Sequence, residues 1–219
     1  MQYFIELFII LTFFILPPIF TSTNNSHGYL EFSIFHIITY GFLGVYCFLR
    51  SKKIGEHNLN SNPQKGIFNK KNLLLSFGTL VFLFINGIFW KWISKNNFTK
   101  VENIKTIYFH IFQVFGLFIY ASYEEIMYRS FLPFSFNKNF SKLINKEILP
   151  KGYVIFIEIL CILLFSFGHI YMGIFAVFNA FFAGIALRFL VWKTKSVFPS
   201  TIIHFIYNFV LYLSMFTKA

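Results

Sequence analysis

The chain has 219 residues, of which 57% are hydrophobic and 23% aromatic, while only 12% are charged. A water-soluble domain of this length carries about twice that share of charged residues. The net charge is +11 at pH 7, but the Lys and Arg residues cluster in short segments between apolar stretches, as in membrane proteins with basic cytoplasmic loops. The composition therefore predicts an all-α, polytopic membrane bundle and argues against nucleic-acid binding.

Apolar runs close to bilayer length recur along the chain and predict about seven transmembrane helices in a single membrane domain, residues 1–219. The predicted spans are 3–20, 29–49, 72–93, 105–133, 153–170, 171–192 and 199–216. Basic residues concentrate in the predicted loops at 50–71 and 134–152 and just after the sixth span. The positive-inside rule then places these loops and the N-terminus in the cytoplasm. The short loops are typical of a bacterial plasma-membrane protein.

Polar side chains interrupt three apolar segments in the C-terminal half of the chain, whereas residues 1–104 contain no comparable pattern. The patterns are Glu124-Glu125-x-x-x-Arg129, Phe165-x-x-x-His169 and His204-x-x-x-Asn208. A charged group inside a bilayer costs roughly 2.5–3.5 kcal/mol on insertion scales, so such groups commonly mark a functional site. Carboxylates, imidazoles, a guanidinium and a carboxamide are together the groups that a water-activating hydrolase requires.

The acidic motif offers two adjacent carboxylates with different surroundings. A spacing of four residues puts Glu125 and Arg129 on one helical face, where they can form an ion pair in the low-dielectric interior. Glu124 points away from that face and is the freer carboxylate, which makes it the candidate general base. The alternative interpretation is a structural ion pair near a helix end.

The two histidine motifs also have helical spacing. His204 and Asn208 share a face, and two convergent donors of this kind stabilise the oxyanion of a tetrahedral intermediate. Their alternative role is helix–helix hydrogen bonding, worth about 0.6 kcal/mol per pair in membranes. His169 shares a face with Phe165, and a lone His on an apolar helix is more often a packing residue than a catalytic one.

His169 lies deeper along its predicted span than the other candidates. At 1.5 Å per residue it would be about 25 Å from the cytoplasmic edge, whereas Glu124 would be about 14 Å from it. A single site therefore requires the helix to break near residues 169–173, which Gly168 and Gly173 flank. We predict such a break, opening a pocket towards the cytoplasm, because irregular backbone is tolerated at depth where it lines a cavity.

Other polar residues are not expected in the site. Glu6, Glu31 and Glu158 fall near predicted span ends and can reach the membrane interface. The two cysteines, Cys47 and Cys161, are expected to be small buried hydrophobic residues. The histidines without a companion pattern are His27, His36, His57 and His110.

The three motifs, in this order and on hydrophobic segments, resemble the CPBP family of intramembrane proteases, also called the Abi or CAAX-protease and bacteriocin-processing family. That family includes Rce1-type prenyl-protein proteases and lysostaphin-resistance-type proteins. Residues 193–197, Lys-Thr-Lys-Ser-Val, are similar to the family's Thr-Gly-Ser-Leu turn, with Lys195 in place of the usual Gly. The resemblance covers residues 105–216, which form the predicted catalytic region.

The resemblance implies an intramembrane endopeptidase that hydrolyses a peptide bond of a membrane-bound protein or peptide substrate. Carried over by position, it implies that Glu124 and His169 activate the attacking water. It also implies that His204 and Asn208 stabilise the oxyanion.

The resemblance gives Glu125 and Arg129 a supporting role. The family has also been described as metalloproteases, in which Glu124, His169 and His204 would be the zinc ligands. Zinc accepts such a ligand set, although the sequence contains no His-Glu-x-x-His helix, which excludes a zincin-type site. What is known of the family favours a glutamate mechanism without a metal cofactor, with zinc as the alternative.

Two other functions remain open for these residues. One is a non-catalytic membrane protein, such as a bacteriocin-immunity or binding factor, because the resembling family contains immunity-associated members. The other is a proton-coupled transporter, since intramembrane Glu and His residues also build proton relays. The absence of a visible internal repeat argues against a transporter.

Overall fold

Helices account for nearly all of the described structure, which comprises residues 2–15, 33–55, 69–94 and 107–214 of a computed structural model. Within these ranges no residue forms a β-strand. Four of the helices are long and apolar enough to cross a membrane. The predicted fold class, an all-α membrane bundle, is therefore confirmed.

The described ranges contain eight α-helices and three short irregular helices. The α-helices are α1 (Gln2–Ile10), α2 (Ile34–Gly55), α3 (Lys70–Ser94), α4 (Ile107–Ile126), α5 (Leu132–Leu143), α6 (Lys151–Phe167), α7 (Ile174–Thr194) and α8 (Val197–Ser214). The irregular elements are π-helical turns at Leu11–Ile15 and Met127–Phe131 and a 3₁₀ turn at Ile170–Met172.

Each predicted span overlaps a helix over most of the part of the chain that the structure describes. The four helices with the length and apolarity of a span are α2, α3, α7 and α8. By contrast, α1 is a shorter apolar helix, α6 has 17 residues, and α4 contains the two carboxylates. The predictions that lie outside the described residues concern 16–20, 29–32, 56–68, 95–106 and 215–216, with His27, Glu31 and His57.

The predicted loop at 134–152 is wrong over half of its length. Helix α4 continues through the π-helical turn into α5, which ends only at Leu143, so Lys138 and Lys142 lie on a helix. This segment is rich in Lys, Asn and Ser, a composition that is typical of loops. Here those residues alternate with apolar ones at helical spacing, so that one face of α5 is buried while the other carries the lysines.

The helices of the C-terminal half pack around one another and against α3. Helix α3 contacts α7 and α8, α4 contacts α2 and α8, and α6 contacts α7. One apolar cluster includes Met127 and Ile157, and a second includes Leu83 and Leu187. Helices α3, α4, α6, α7 and α8 thereby surround the polar residues of the three motifs.

The helical structure is interrupted between α6 and α7, at the position that the sequence predicts. Helix α6 ends at Phe167, the 3₁₀ turn follows, and α7 begins at Ile174. Gly173 has a φ of 100°, a conformation that favours glycine because a Cβ would clash with the backbone. The predicted helix break is confirmed, and His169 lies on the turn rather than within a helix.

Candidate active site

The four residues predicted to be catalytic line one cavity of about 170 Å³. Glu124 comes from α4, His169 from the turn after α6, and His204 and Asn208 from α8. Most of the remaining wall is apolar and includes Leu83 from α3. The structure thus brings together polar groups from three distant segments, as a single site requires.

Glu124 is buried, with 3% of its surface exposed, and its carboxylate faces both imidazoles. Its Oε1 atom lies 4.0 Å from Nε2 of His169, and its Oε2 atom lies 3.7 Å from Nε2 of His204. Both separations exceed a direct hydrogen bond. One water molecule at about 2.8 Å from the oxygen and from the nitrogen can bridge a gap of this size. The carboxylate therefore keeps acceptor capacity directed towards the cavity.

The other nitrogen of each imidazole is held by an acceptor. Nδ1 of His169 lies 2.8 Å from the backbone oxygen of Phe165, and Nδ1 of His204 lies 2.9 Å from Oε1 of Glu125. A carbonyl oxygen and a carboxylate only accept, so both Nδ1 atoms donate. Each Nε2 atom then offers a lone pair in the neutral ring and an N–H in the imidazolium.

Glu125 lies behind the cavity and is fully buried. Its Oε1 atom accepts from His204, and its Oε2 atom is 3.5 Å from Nε of Arg129. The predicted pairing of Glu125 with Arg129 is therefore present. Neither of these two side chains belongs to the cavity lining, so both act behind the residues that line it.

The terminal nitrogens of Arg129 and Oε2 of Glu125 are buried and have no hydrogen-bond partner within the described part of the chain. The guanidinium carbon of Arg129 lies 3.9 Å from the ring centroid of Phe165, in a cation–π contact. Charge attraction and this aromatic face, more than direct hydrogen bonds, hold Arg129 in place.

Phe165 is the apolar residue that connects the three motifs. Its ring centroid lies 4.8 Å from that of His169 and 6.1 Å from that of His204. On the α7 side, a Cβ atom at Gly184 would come within 3.2 Å of the Phe165 ring. Helix α7 can therefore approach Phe165 closely because residue 184 has no side chain. This one ring therefore contacts both imidazoles.

An ion pair next to the site was not predicted. Both oxygens of Glu158, in α6, accept from the guanidinium of Arg188, in α7. Nη1 of Arg188 also donates to the backbone oxygen of Arg129 at 2.6 Å. Pro133, four residues after Arg129, has no N–H to offer that oxygen. The pair thus ties α6 and α7 to the π-helical turn that follows the two glutamates.

Two polar residues that the sequence does not place in the site also have partners. Glu6, expected at the membrane interface, forms an ion pair of 2.7 Å with Arg50 between α1 and α2. His110 lies 2.7 Å from the hydroxyl of Tyr212, which lines the cavity. Both cysteines are free and buried, as predicted. These contacts join residues far apart in sequence, so no local pattern could reveal them.

A larger groove of about 800 Å³ runs along α5 and the segment after it. Its lining includes Lys138, Lys142 and Lys146 but none of the predicted catalytic residues. The carboxylate and imidazoles converge only on the smaller cavity among those described, which makes that cavity the candidate active site.

Glu124, His169 and His204 are also the predicted ligands of an alternative zinc site. Zinc bound tetrahedrally at about 2.0–2.1 Å places its ligand atoms about 3.3 Å apart, whereas the observed separations are 3.7 and 4.0 Å. Within the described ranges, no group of three His, Cys, Asp or Glu residues is arranged to hold a metal ion. The spacing is wider than a zinc site requires, and metal dependence stays a prediction that chelation tests.

A comparison with known proteins finds a match for the region that supplies most of this cavity. Residues 106–210 match the family model of the type II CAAX prenyl endopeptidases described as Rce1-like. No curated protein and no solved structure matches the chain. The matched segment contains all three motifs and begins after α3. Residues 106–210 are therefore similar to the Rce1-like type II CAAX prenyl endopeptidases, the group that the three motifs resemble.

Proposed function

We propose that this integral membrane protein is an endopeptidase that hydrolyses a peptide bond of a membrane-associated protein or peptide. The observation that supports this most directly is the position of Glu124 between the Nε2 atoms of His169 and His204, at the wall of one cavity. The family match of residues 106–210 supports the same class of reaction.

Glu124 and His169 are the proposed activators of the attacking water. A water molecule between Oε1 of Glu124 and Nε2 of His169 donates one hydrogen bond to each atom when the imidazole is neutral. The bond from Nδ1 of His169 to the backbone oxygen of Phe165 keeps the lone pair on Nε2. As the water oxygen attacks the peptide carbonyl carbon, its proton passes to the carboxylate, which later gives it to the leaving amine.

His204 and Asn208 are the proposed oxyanion donors. Because Nδ1 of His204 already donates to Glu125, this ring presents an N–H at Nε2 only as the imidazolium. The carboxylate of Glu125 is the acceptor that holds the ring in this orientation. Asn208, one helical turn after His204, contributes its side-chain amide from the same face. Preorganised donors of this kind are each worth roughly 10²–10³ in rate.

This mechanism uses no metal ion, and Glu125 with Arg129 acts as support. Arg129 attracts the carboxylate of Glu125, and Glu125 in turn holds His204 in the orientation that the oxyanion step needs. The two residues are therefore proposed to act through His204 rather than by contact with the substrate.

The orientation of the chain in the bilayer is part of the proposal. The basic residues of α5 and the turn after α7 are expected on the cytoplasmic side, together with the N-terminus, in a bacterial plasma membrane. The cavity would then receive a substrate from the cytoplasmic half of the bilayer.

A cleavage assay tests the proposal. Purified protein in detergent is incubated with quenched fluorescent peptides, with and without a zinc chelator. The peptide set contains a farnesylated CAAX peptide and unprenylated membrane-anchored peptides. We expect cleavage that survives chelation and falls by roughly 10²–10⁴ in Glu124→Gln, the range of general-base catalysis.

Each contrary result has a distinct meaning. Cleavage that chelation abolishes would replace the metal-free mechanism by a zinc-dependent one. A folded wild-type protein that cleaves no peptide, or a Glu124→Gln variant that keeps the wild-type cellular phenotype, would instead indicate a non-catalytic immunity or binding protein.

A further inference from the structure

A chain of hydrogen bonds runs from α3 to the wall of the cavity. The indole nitrogen of Trp90 donates to Oδ1 of Asn86 at 3.1 Å. Nδ2 of Asn86 donates to Asn179 in α7, to the backbone oxygen at 2.9 Å and to Oδ1 at 2.6 Å. Nδ2 of Asn179 then donates to the hydroxyl oxygen of Tyr207, in α8, at 3.3 Å. Asn179 and Tyr207 both line the cavity.

Two groups fix the donor-to-acceptor direction of this series of hydrogen bonds, because one of them can only donate and the other can only accept. An indole N–H only donates, and a backbone carbonyl only accepts. Asn86 must therefore present its oxygen to Trp90 and its amide nitrogen to Asn179. Because that nitrogen also meets the side-chain oxygen of Asn179, the amide nitrogen of Asn179 must face Tyr207. No other amide orientation satisfies all four contacts.

The end of the chain is consequently a donor. The hydroxyl oxygen of Tyr207 accepts from Asn179, which leaves its own O–H hydrogen to donate. Among the described residues, this hydroxyl makes no second hydrogen bond. Tyr207 is itself buried. Donors linked in one direction polarise one another, which makes the last donor stronger.

Helix α3 also leaves room for this hydroxyl. A Cβ atom at Gly87 would lie 2.5 Å from the hydroxyl oxygen of Tyr207, a distance that no packed structure tolerates. The absence of a side chain at Gly87 and the amides of Asn86 and Asn179 together determine where the hydroxyl lies. Two of these three residues belong to α3, which precedes the matched segment 106–210.

We propose that Tyr207 is a substrate-binding residue whose O–H donates to a backbone carbonyl of the bound peptide, and that Asn179 positions it. The inference rests on the proposed function, from which it takes the peptide as the occupant of the cavity. A peptide in this largely apolar cavity has carbonyl groups that lose water, and each needs a donor. Tyr207 offers one in the same cavity that His204 and Asn208 line.

Binding to an inactive protein tests this inference without using cleavage. In the Glu124→Gln background, the affinity for the farnesylated CAAX peptide is measured with and without Tyr207→Phe. We expect binding to weaken roughly threefold to tenfold, the effect of one neutral hydrogen bond. Tyr212→Phe is the matched control, because it removes a hydroxyl at the same cavity wall that already contacts His110; its affinity should change less than twofold.

A second variant separates positioning from packing. Asn179→Leu should weaken binding when Tyr207 is present and should have no further effect in the Tyr207→Phe background, since Asn179 acts through the hydroxyl. A purely structural role would give the same loss in both backgrounds. Thermal unfolding in the same detergent confirms that the compared variants are folded.

The outcomes for the two proposals can be distinguished. Equal affinity with and without the hydroxyl, or no binding of the peptide to Glu124→Gln, overturns the role of Tyr207. If the wild-type protein nevertheless cleaves peptides and Glu124→Gln does not, the proposed function stands. If the wild-type protein cleaves nothing, the proposed function fails, and the affinity comparison still decides the role of Tyr207.

Discussion

Glu124 and Glu158 are both carboxylates inside the helical bundle, but their partners differ. Both oxygens of Glu158 accept from Arg188, so its hydrogen-bonding capacity towards protein is largely used. The oxygens of Glu124 lie 3.7 and 4.0 Å from imidazole nitrogens and face a cavity. Under the proposed mechanism, a charged group in a membrane helix is therefore not by itself a sign of catalysis. A buried charge with unused capacity towards a cavity is the more informative feature.

The same substitution at these two positions gives the largest expected contrast. Glu124→Gln should lower kcat/KM by roughly 10²–10⁴ with little change in thermal stability, because it removes the base. Glu158→Gln should cost about 1 kcal/mol of stability, because its ion pair is partly exposed, while kcat/KM stays within about threefold. Peptide cleavage and thermal unfolding of both variants provide the measurement. Equal losses of activity in the two variants would contradict a special role for Glu124 in the reaction.

Asn208→Ala sharpens the assignment of the cavity donors. We expect kcat to fall by roughly 10²–10³ with KM nearly unchanged, because an oxyanion donor acts mainly in the transition state. Separate kcat and KM values from the peptide assay are the measurement. A rise in KM at constant kcat would place Asn208 in substrate binding instead.

Glu125→Gln tests the carboxylate that lies behind the site. It leaves the buried Arg129 charge without its counter-ion, which typically costs about 3–5 kcal/mol. Activity should fall as well, because His204 loses the carboxylate that holds its ring in place. The free energy of unfolding, measured by denaturant titration in detergent, and the peptide assay report the two effects. The double variant Glu125→Gln/Arg129→Met should regain stability but not activity, and recovery of both would contradict a role through His204.

Lys195→Gly should have the smallest effect and should act on stability alone. Lys195 ends α7 in the left-handed conformation, with φ of 56°, at the position where the resembling family usually has Gly. Glycine removes the Cβ strain there, and we expect a gain of about 1 kcal/mol. Asn145→Gly is a matched control at the other non-glycine residue with positive φ in the described chain; its gain should be smaller, because Asn tolerates this conformation better.

The parts of the site that helical spacing determines were predictable from the sequence. Glu125 and Arg129 do pair, His169 does contact Phe165, and the need for one site correctly placed a helix break at 169–173. Spacing alone could not show that Glu125 also binds His204, a residue 79 positions away. For the same reason, the partner of Glu158 was missed, since pairing between helices depends on their packing.

The fold was predictable from the sequence in the long apolar segments, but not in segments that mix apolar and polar residues. Long apolar runs gave the spans because a bilayer requires about 20 apolar residues per helix. The sequence predicts a loop at the position of helix α5, because its lysines and asparagines hide a periodic apolar face. Helix α5 continues from α4 through the π-helical turn at Met127–Phe131. At this turn the side chain of Arg188, from α7, donates to the backbone oxygen of Arg129. Neither feature has a local sequence signal.

Leu83 of α3 forms part of the cavity wall, although α3 precedes the segment that matches the family model. A fragment starting at residue 106 would keep every motif and yet expose one side of its pocket to lipid. Exchanging α3 between homologous chains would therefore alter the shape of the cavity without changing any residue of the three motifs. Sequence variation in residues 1–104, which contain none of the three motifs, can change substrate selectivity while the proposed catalytic groups stay the same.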